Sequence, residues 1–533
     1  MRTPTRRSVL GASITVAGAG FLAACSGSGP FGHSGSAASD PKGYVDPAGK
    51  EVAAAEQRRA ASGRGAVRTV RLTATRSSLD LGERKVTSWS YGGALAGKDV
   101  RVTAGDTLAV TLANHLSDTT SLHWHGIALR NDMDGVPGLT QRAIEPGADF
   151  TYRFTVPHPG TYWFHPHSGV QLDRGLYGTL IVEDPKEPLS YDKEWVVVLD
   201  DWLDGVDGTT PDAVFAQLTG GRGMSMGGGM GDSDSGMSHM PMRERSSPSP
   251  LPSPSARSRV MAGGHSNLLG GDAGDVEYPY FLVNGRTAKA PSAFKARPGD
   301  RIRIRFVNAG GDTAFRVALG GHEMTVTHTD GYPVKHARTD ALLIGMGERY
   351  DVLVTAGDGV FPLTALAEGK DASTMALLRT GSGGTPSATT RPSELGRRLL
   401  TADRLRADQS VALKRRNPDR TIRLRLTGRM THYDWAFDGK PYTPSQRHPV
   451  RAGERVRLEF VNSTAMWHPL HVHGHTFALA DVTGGPRKDT AIVLPRKTLR
   501  VDFDADNPGL WMVHCHNVYH AEAGMMTVLG YES

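Results

Sequence analysis

Three stretches of the chain repeat one pattern of apolar and polar positions. The first, V-R-V-T-A-G-D-T-L-A-V-T-L-A-N, ends at Asn114. The second, F-K-A-R-P-G-D-R-I-R-I-R-F-V-N, ends at Asn308, and the third, P-V-R-A-G-E-R-V-R-L-E-F-V-N, at Asn462. In each, a glycine (Gly105, Gly299, Gly453) precedes an acid, and the asparagine follows nine residues after the glycine. A turn followed by apolar/polar alternation predicts a strand with one face in a core and the other in water. Its recurrence marks a repeated structural unit. The simplest architecture is all-β, three β-sandwich domains over residues 67–187, 190–383 and 400–533. Residues 384–399, rich in Gly, Ser, Thr and Pro, read as the linker between the second and third. The 64 glycines and 32 prolines suit turn-rich β structure better than helix bundles. The length of 533 residues suggests roughly three or four domains of about 150 residues.

The start of the chain follows different rules. Residues 1–24 have a basic beginning with Arg6-Arg7 and then an apolar stretch, the layout of an export signal. R-R-S-V-L resembles a twin-arginine signal, and Leu22-Ala23-Ala24-Cys25 resembles a lipobox. The expectation is an exported protein on the cell-surface or periplasmic side, anchored to the membrane only through a lipid on Cys25. Residues 25–66, biased to Gly, Ser and Ala, read as a flexible tether. The net charge of +6 falls by three if Arg2, Arg6 and Arg7 leave with the signal. No Lys/Arg stripe interleaved with aromatics occurs, so nucleic acid is not an expected partner. No second long apolar run follows the leader.

The two cysteines are Cys25 and Cys515. With one given to lipid and the other to metal, no disulfide is expected. Cys515 stands in H-C-H-N-V-Y-H-A-E-A-G-M-M, residues 514–526. If Val513 to Asn517 is a strand, His514 and His516 point to one face and Cys515 to the other. One strand could then serve two metal sites back to back. A Cys thiolate, His520 and a weak thioether from Met525 make most of a blue-copper site, which needs one more histidine. The alternative is a buried free cysteine among incidental histidines.

Three more histidine clusters occur: His123/His125, His165/His167 and His468/His471/His473. In H-x-H on a strand both imidazoles share a face, ~7 Å apart at Cα. The first two clusters lie in the first repeat and the others in the third. The middle repeat has no paired histidines after Asn308 and reads as a spacer, with His322, His328 and His336 structural.

These four clusters, in this order with one cysteine and a trailing methionine, make the chain similar to the multicopper oxidases, from about residue 67 to the end. The resemblance implies cupredoxin-like Greek-key sandwiches and four copper ions. It implies that His468, Cys515 and His520, with axial Met525, hold a type 1 copper. His123 and His471 would hold the type 2 copper, and His125, His165, His167, His473, His514 and His516 the type 3 pair. It further implies a catalytic acid at Asp134, nine residues after His125. Glu522 is a second candidate, although copper-efflux oxidases place the acid directly after the type 1 histidine, where this chain has Ala521. His115, His158 and His475 fall outside the pattern and read as structural.

The implied activity is one-electron oxidation of a small donor coupled to four-electron reduction of O₂ to water. Residues 220–264 carry Met224, Met226, Met230, Met237, Met240, Met242 and Met261 in a Gly/Ser-rich context, with His239 and His265 nearby. Thioethers favour Cu(I), so the leading expectation is a cuprous oxidase in copper tolerance, acting as a monomer. Phenols, Fe(II) or Mn(II) are the alternative donors, and a non-catalytic copper-sequestering protein is the alternative class.

Overall fold

The computed structural model describes residues 43–533 apart from Arg64, Lys98 and residues 221–256. The signal, Cys25, the first part of the expected tether and most of the methionine segment lie outside the described residues. The chain from Val67 onward builds three sandwiches in sequence order.

In the first, the sheet Lys85–Tyr91, Val67–Asp80, Thr107–Asn114, Asp149–Thr155 is accompanied by Val100–Thr103, Gly178–Glu183, Gly160–His165, His123–His125. The middle and third sandwiches have sheets of six and six, and of six and five strands. The repeated segment takes the same place each time. Thr107–Asn114, Arg301–Asn308 and Arg455–Asn462 each pair in parallel with the strand that opens their sandwich. Each also pairs antiparallel with a later strand: Asp149–Thr155, Arg349–Thr355 or Thr498–Asp504. Parallel neighbours must be joined by a crossover, which here runs through the opposite sheet.

The repeated residues have a physical reason. Gly105, Gly299 and Gly453 all have positive φ (91°, 87° and 86°), a conformation that side chains resist. The three asparagines end the strand with one shared staple. Each side-chain amide donates to two carbonyls: Asp118 and Ile144, Thr313 and Ile344, or Met466 and Val493. Each amide oxygen accepts from the backbone N–H two residues on. A buried strand end must satisfy its carbonyls somewhere, and asparagine supplies donor and acceptor together.

Residues 43–66 depart from the tether expectation. Val45 N–H donates to the Tyr531 carbonyl (2.8 Å), and Lys50–Ser62 is an α-helix that buries Val52 and Ala55. Glu56 accepts from Thr155 N–H (2.7 Å) and Arg59 donates to Asn507. Alanine, glutamate and arginine are strong helix formers. The docked helix therefore belongs to the body. The expected linker also ends in contact: Leu399–Leu400 adds a parallel strand beside Ala341–Ile344 of the middle sandwich.

Candidate metal centres

Strand Leu510–Cys515 lies in the centre of the last sheet, between Met526–Tyr531 and His468–Val472. Pairing sets His471 opposite His514 and Leu470 opposite Cys515. The strand stops at Cys515, and Asn517 caps the helix Val518–Glu522 by accepting from Tyr519 and His520 N–H. That cap turns His520 back toward Cys515. His468 and His520 then face each other through their Nδ1 atoms (3.1 Å), each 3.6 Å from Cys515 Sγ. All three are fully buried, as is Met525, whose carbonyl accepts from Cys515 N–H. The outer nitrogen of His468 meets Thr464 Oγ1 (2.9 Å), and that of His520 donates to Asp275 Oδ2 (2.9 Å). Burial opposes charge on His520, but Asp275 and the Cys515 sulfur outweigh it and raise its pKa to about 10. The S, N, N donor set is the one a soft copper ion prefers.

The other face of the strand meets the first sandwich. The described residues form three all-histidine donor triads here, His123/His125/His471, His125/His165/His516 and His167/His473/His514, and a fourth group of His123, Asp134 and His473. Rings from the first and third sandwiches stack directly, His123 on His473 (3.8 Å) and His125 on His471 (3.7 Å). In six of these histidines one ring nitrogen is anchored. His123 Nδ1 donates to the Asp134 carbonyl, His165 Nδ1 to Pro166 O, His471 Nδ1 to Asp489 O and His514 Nδ1 to Cys515 O. His473 Nδ1 donates to Asp134 Oδ2 (2.8 Å) and His125 Nε2 to Asp489 Oδ1 (3.0 Å). The opposite nitrogen of each is buried with no hydrogen-bond partner, and both nitrogens of His516 are unpartnered.

Buried polar atoms without partners are costly and rare. A convergent set of lone pairs, with most outer N–H groups fixed by an oxygen, is what a metal cluster requires. Burial pushes the pKa values of His125, His165, His167, His473, His514 and His516 well below the ordinary histidine value, and that of His471 below it, so the rings are neutral and free to ligate.

The comparisons with known proteins agree with this chemistry. Family models described as multicopper oxidase match residues 73–187, 257–383 and 415–532. The chain is 48% identical to multicopper oxidase MmcO of Mycobacterium tuberculosis, over 99% of this chain and 96% of that one. This chain belongs to the multicopper oxidase family. It is also 29% identical to a copper resistance protein A homolog of Pseudomonas syringae pv. tomato, over 85% of this chain and 92% of the relative. In fold it matches a laccase from Botrytis aclada (TM-score 0.70, 23% identity, 90% of both chains). It also matches Fet3p, a multicopper oxidase that functions in iron import (TM-score 0.68, 22% identity, 87% and 90%). The three sandwiches are therefore cupredoxin-like, and this multicopper oxidase uses copper, O₂ and a reductant.

Placed against the sequence reading, all ten histidines and Cys515 fall in the two sites. Asp134 is fully buried between His473 and His123. Glu522 is half-buried; burial and the charge of Asp212 push its carboxyl up to about 7. It lines both a narrow cavity of ≈ 120 Å³ against His165, His167, His514 and His516 and a wide one of ≈ 1040 Å³ beside Tyr433 and Trp435. His475 bridges the His473 carbonyl and the Tyr531 hydroxyl. The spacer reading of the middle sandwich is overturned. Asp275, from that part of the chain, holds His520, and Asp312 accepts from the Asn517 amide (2.6 Å). Arg349 forms a two-pronged ion pair with Asp489 (2.7 and 2.6 Å). Sequence reasoning missed Asp275, Arg349 and Asp489 because each acts on a histidine or acid far away in the chain. The only local signal is that Lys488-Asp489 immediately precedes an apolar strand.

Proposed function

We propose that this multicopper oxidase oxidises Cu(I) at the sulfur-containing site and reduces O₂ to water at the histidine cluster, in copper tolerance. His468, Cys515 and His520, with Met525 buried beside them, would hold a type 1 copper. His123 and His471 take the type 2 copper; His125/His165/His516 and His167/His473/His514 take the type 3 pair. Bound copper supplies one-electron redox chemistry at the first site and multi-electron O₂ reduction at the second. The protein's own part is orientation and protons. The oxygens of Asp134, Asp489, Pro166 and Cys515 fix which nitrogen faces inward in six of the eight rings. Glu522, with a pKa of about 7 and one side in each cavity, is suited to pass protons inward. The His514-Cys515-His516 peptide is the covalent route between the sites.

The observation that carries the cuprous reading is the lining of the wide cavity. Met430, Met466 and His432 stand there with Asp272, Asp434 and Glu522, and Arg429 and Arg496 also line it; the thioethers, the imidazole and the carboxylates are the groups suited to a small soft cation. The methionine segment departs beside it: Thr219 lines the cavity, and Met261 and His265 lie where the described chain resumes. The name of the copper resistance relative points the same way. A sequestering protein has no use for a buried S, N, N site linked by one peptide to a second cluster. We further propose export, a lipid on Cys25 and a monomeric state, which rest on the sequence alone.

Steady-state O₂ uptake with Cu(I), Fe(II) and a phenolic dye, on the full chain and on a chain lacking residues 221–256, tests the donor. Cuprous turnover should be the fastest of the three and should drop several-fold on deletion. Faster phenol or Fe(II) turnover, with cuprous turnover unchanged by the deletion, overturns the reading.

A further inference from the structure

We propose that Arg349, on the ligand-free middle sandwich, is a positioning residue for the oxygen-reducing cluster, acting on His125 and His471 through Asp489. This rests on the reading of those histidines as copper ligands. Arg349 is fully buried and opens strand Arg349–Thr355. Its Nη1 and Nη2 donate to the two carboxylate oxygens of Asp489, its Nε to the Thr161 carbonyl (3.1 Å) and Nη1 also to Gly347 O (3.0 Å). One side chain thus ties all three sandwiches together.

Asp489 passes the constraint on. Its Oδ1 accepts from His125 Nε2 (3.0 Å) and from Thr490 Oγ1 (2.9 Å), while its carbonyl accepts from His471 Nδ1 (3.0 Å). An ionised carboxylate only accepts, so His125 must carry its proton on Nε2 and present Nδ1 to the cluster. The unpartnered atom of His125 is indeed Nδ1, whereas that of His471 is Nε2. Arg349 holds the carboxylate in the plane this requires, because a guanidinium fork fixes both oxygens and an ammonium does not. A second anchor acts on the backbone. Asp330, also from the middle sandwich, accepts from the N–H groups of Asp489 (3.1 Å), Thr490 (3.2 Å) and Arg349 (2.9 Å).

The middle sandwich also touches the rings themselves. Gly347 has φ +83°, and a Cβ there would lie 2.9 Å from His516 Cδ2 and 3.0 Å from His125 Cε1. A buried ion pair is a poor source of stability compared with apolar packing. What this one provides is a fixed direction for a ring nitrogen.

The test uses full-length Arg349→Met and Arg349→Lys, loaded with copper in parallel with the parent chain. Readouts are total copper, the type 2 EPR signal, the near-ultraviolet type 3 band, the blue band of the Cys515 site and the urea unfolding midpoint. Both variants should lose affinity for cluster copper, about 10- to 100-fold for Met and less for Lys, with the blue band intact. Lys keeps the buried charge, so it decides the matter if Met does not fold. Parent-like cluster copper and EPR signals in the Lys variant overturn the proposal. So does a loss in which the blue band, the cluster signals and the unfolding midpoint fall together, which would mark a general structural role. A parent chain that binds no cluster copper would instead refute the ligand reading.

Discussion

Replacing Asp134 separates the two bonds it makes. His123 is held by the Asp134 backbone carbonyl (2.8 Å), which survives any substitution, whereas His473 is held by the carboxylate Oδ2 (2.8 Å). Asp134→Ala therefore removes a longer contact (3.3 Å) with His123, which keeps its bond to the backbone carbonyl, and one hydrogen bond, leaving the buried His473 Nδ1–H without an acceptor. Such an orphaned group costs about 1–3 kcal/mol, and the rotated ring misdirects its inward Nε2. At about 1.4 kcal/mol per factor of ten, cluster copper should bind roughly 5- to 150-fold more weakly. Asp134→Asn keeps an acceptor of the same shape but without charge. A neutral bond is worth about 1 kcal/mol less than a charge-assisted one, so the loss should be tenfold or less. Competition with a Cu(I) chelator, followed through the type 2 EPR signal, measures both. The blue band serves as a control, because Cys515 faces away from this cluster. If Asp134→Ala binds cluster copper within twofold of the parent chain, Asp134 does not orient His473.

Two further outcomes follow from the same geometry. Lys488→Met removes the fully buried cation that bonds Asp330 (3.1 Å) and Glu348 (3.0 Å), and should cost about 3–5 kcal/mol at neutral pH. Burial already raises the Glu348 carboxyl and Lys488 holds it down, so the variant raises it further. The native state then binds more protons than the unfolded chain, and the deficit should shrink on acidification toward the ordinary carboxylate range. Urea midpoints at pH 8 and pH 5.5 check the sign, and a deficit that grows at pH 5.5 contradicts it. Cys515→Ser should abolish the blue absorption and turnover while the type 2 EPR signal persists, and continued O₂ uptake would refute the proposed electron route.

What the sequence revealed, and what it hid, divides by distance along the chain. The strands were legible because Gly105, Gly299 and Gly453, the alternation after them and Asn114, Asn308 and Asn462 all lie within ten residues of one another. The ligand clusters were legible because strand periodicity places His514 and His516 on one face and Cys515 on the other. The reason for the repeated asparagine was not legible, since each bonds a carbonyl about 30 residues away, such as Ile144 for Asn114. Helix Lys50–Ser62 was hidden by the Gly/Ser/Ala bias around it. Arg349 and Asp489 are 140 positions apart, and Asp275 and His520 are 245 apart. No local pattern pairs them.

The middle sandwich is where this limit matters most. Judged by histidines it is inert, since nothing between residues 309 and 383 matches H-x-H. Judged by outer nitrogens it reaches both sites, and a ligand ring is set by what its other nitrogen meets. Asp275 meets His520 Nε2 at the sulfur site, and Arg349, through Asp489, directs His125 Nε2 at the cluster. Asp312 adds a third contact, bonding the Asn517 amide that caps the turn between Cys515 and His520 while a buried Lys370 neutralises it (2.6 Å). The first and third sandwiches supply the lone pairs, and the middle one fixes the frame in which both sets converge. A change there that leaves every ligand in place should still alter metal loading, and the sequence gives no warning of it.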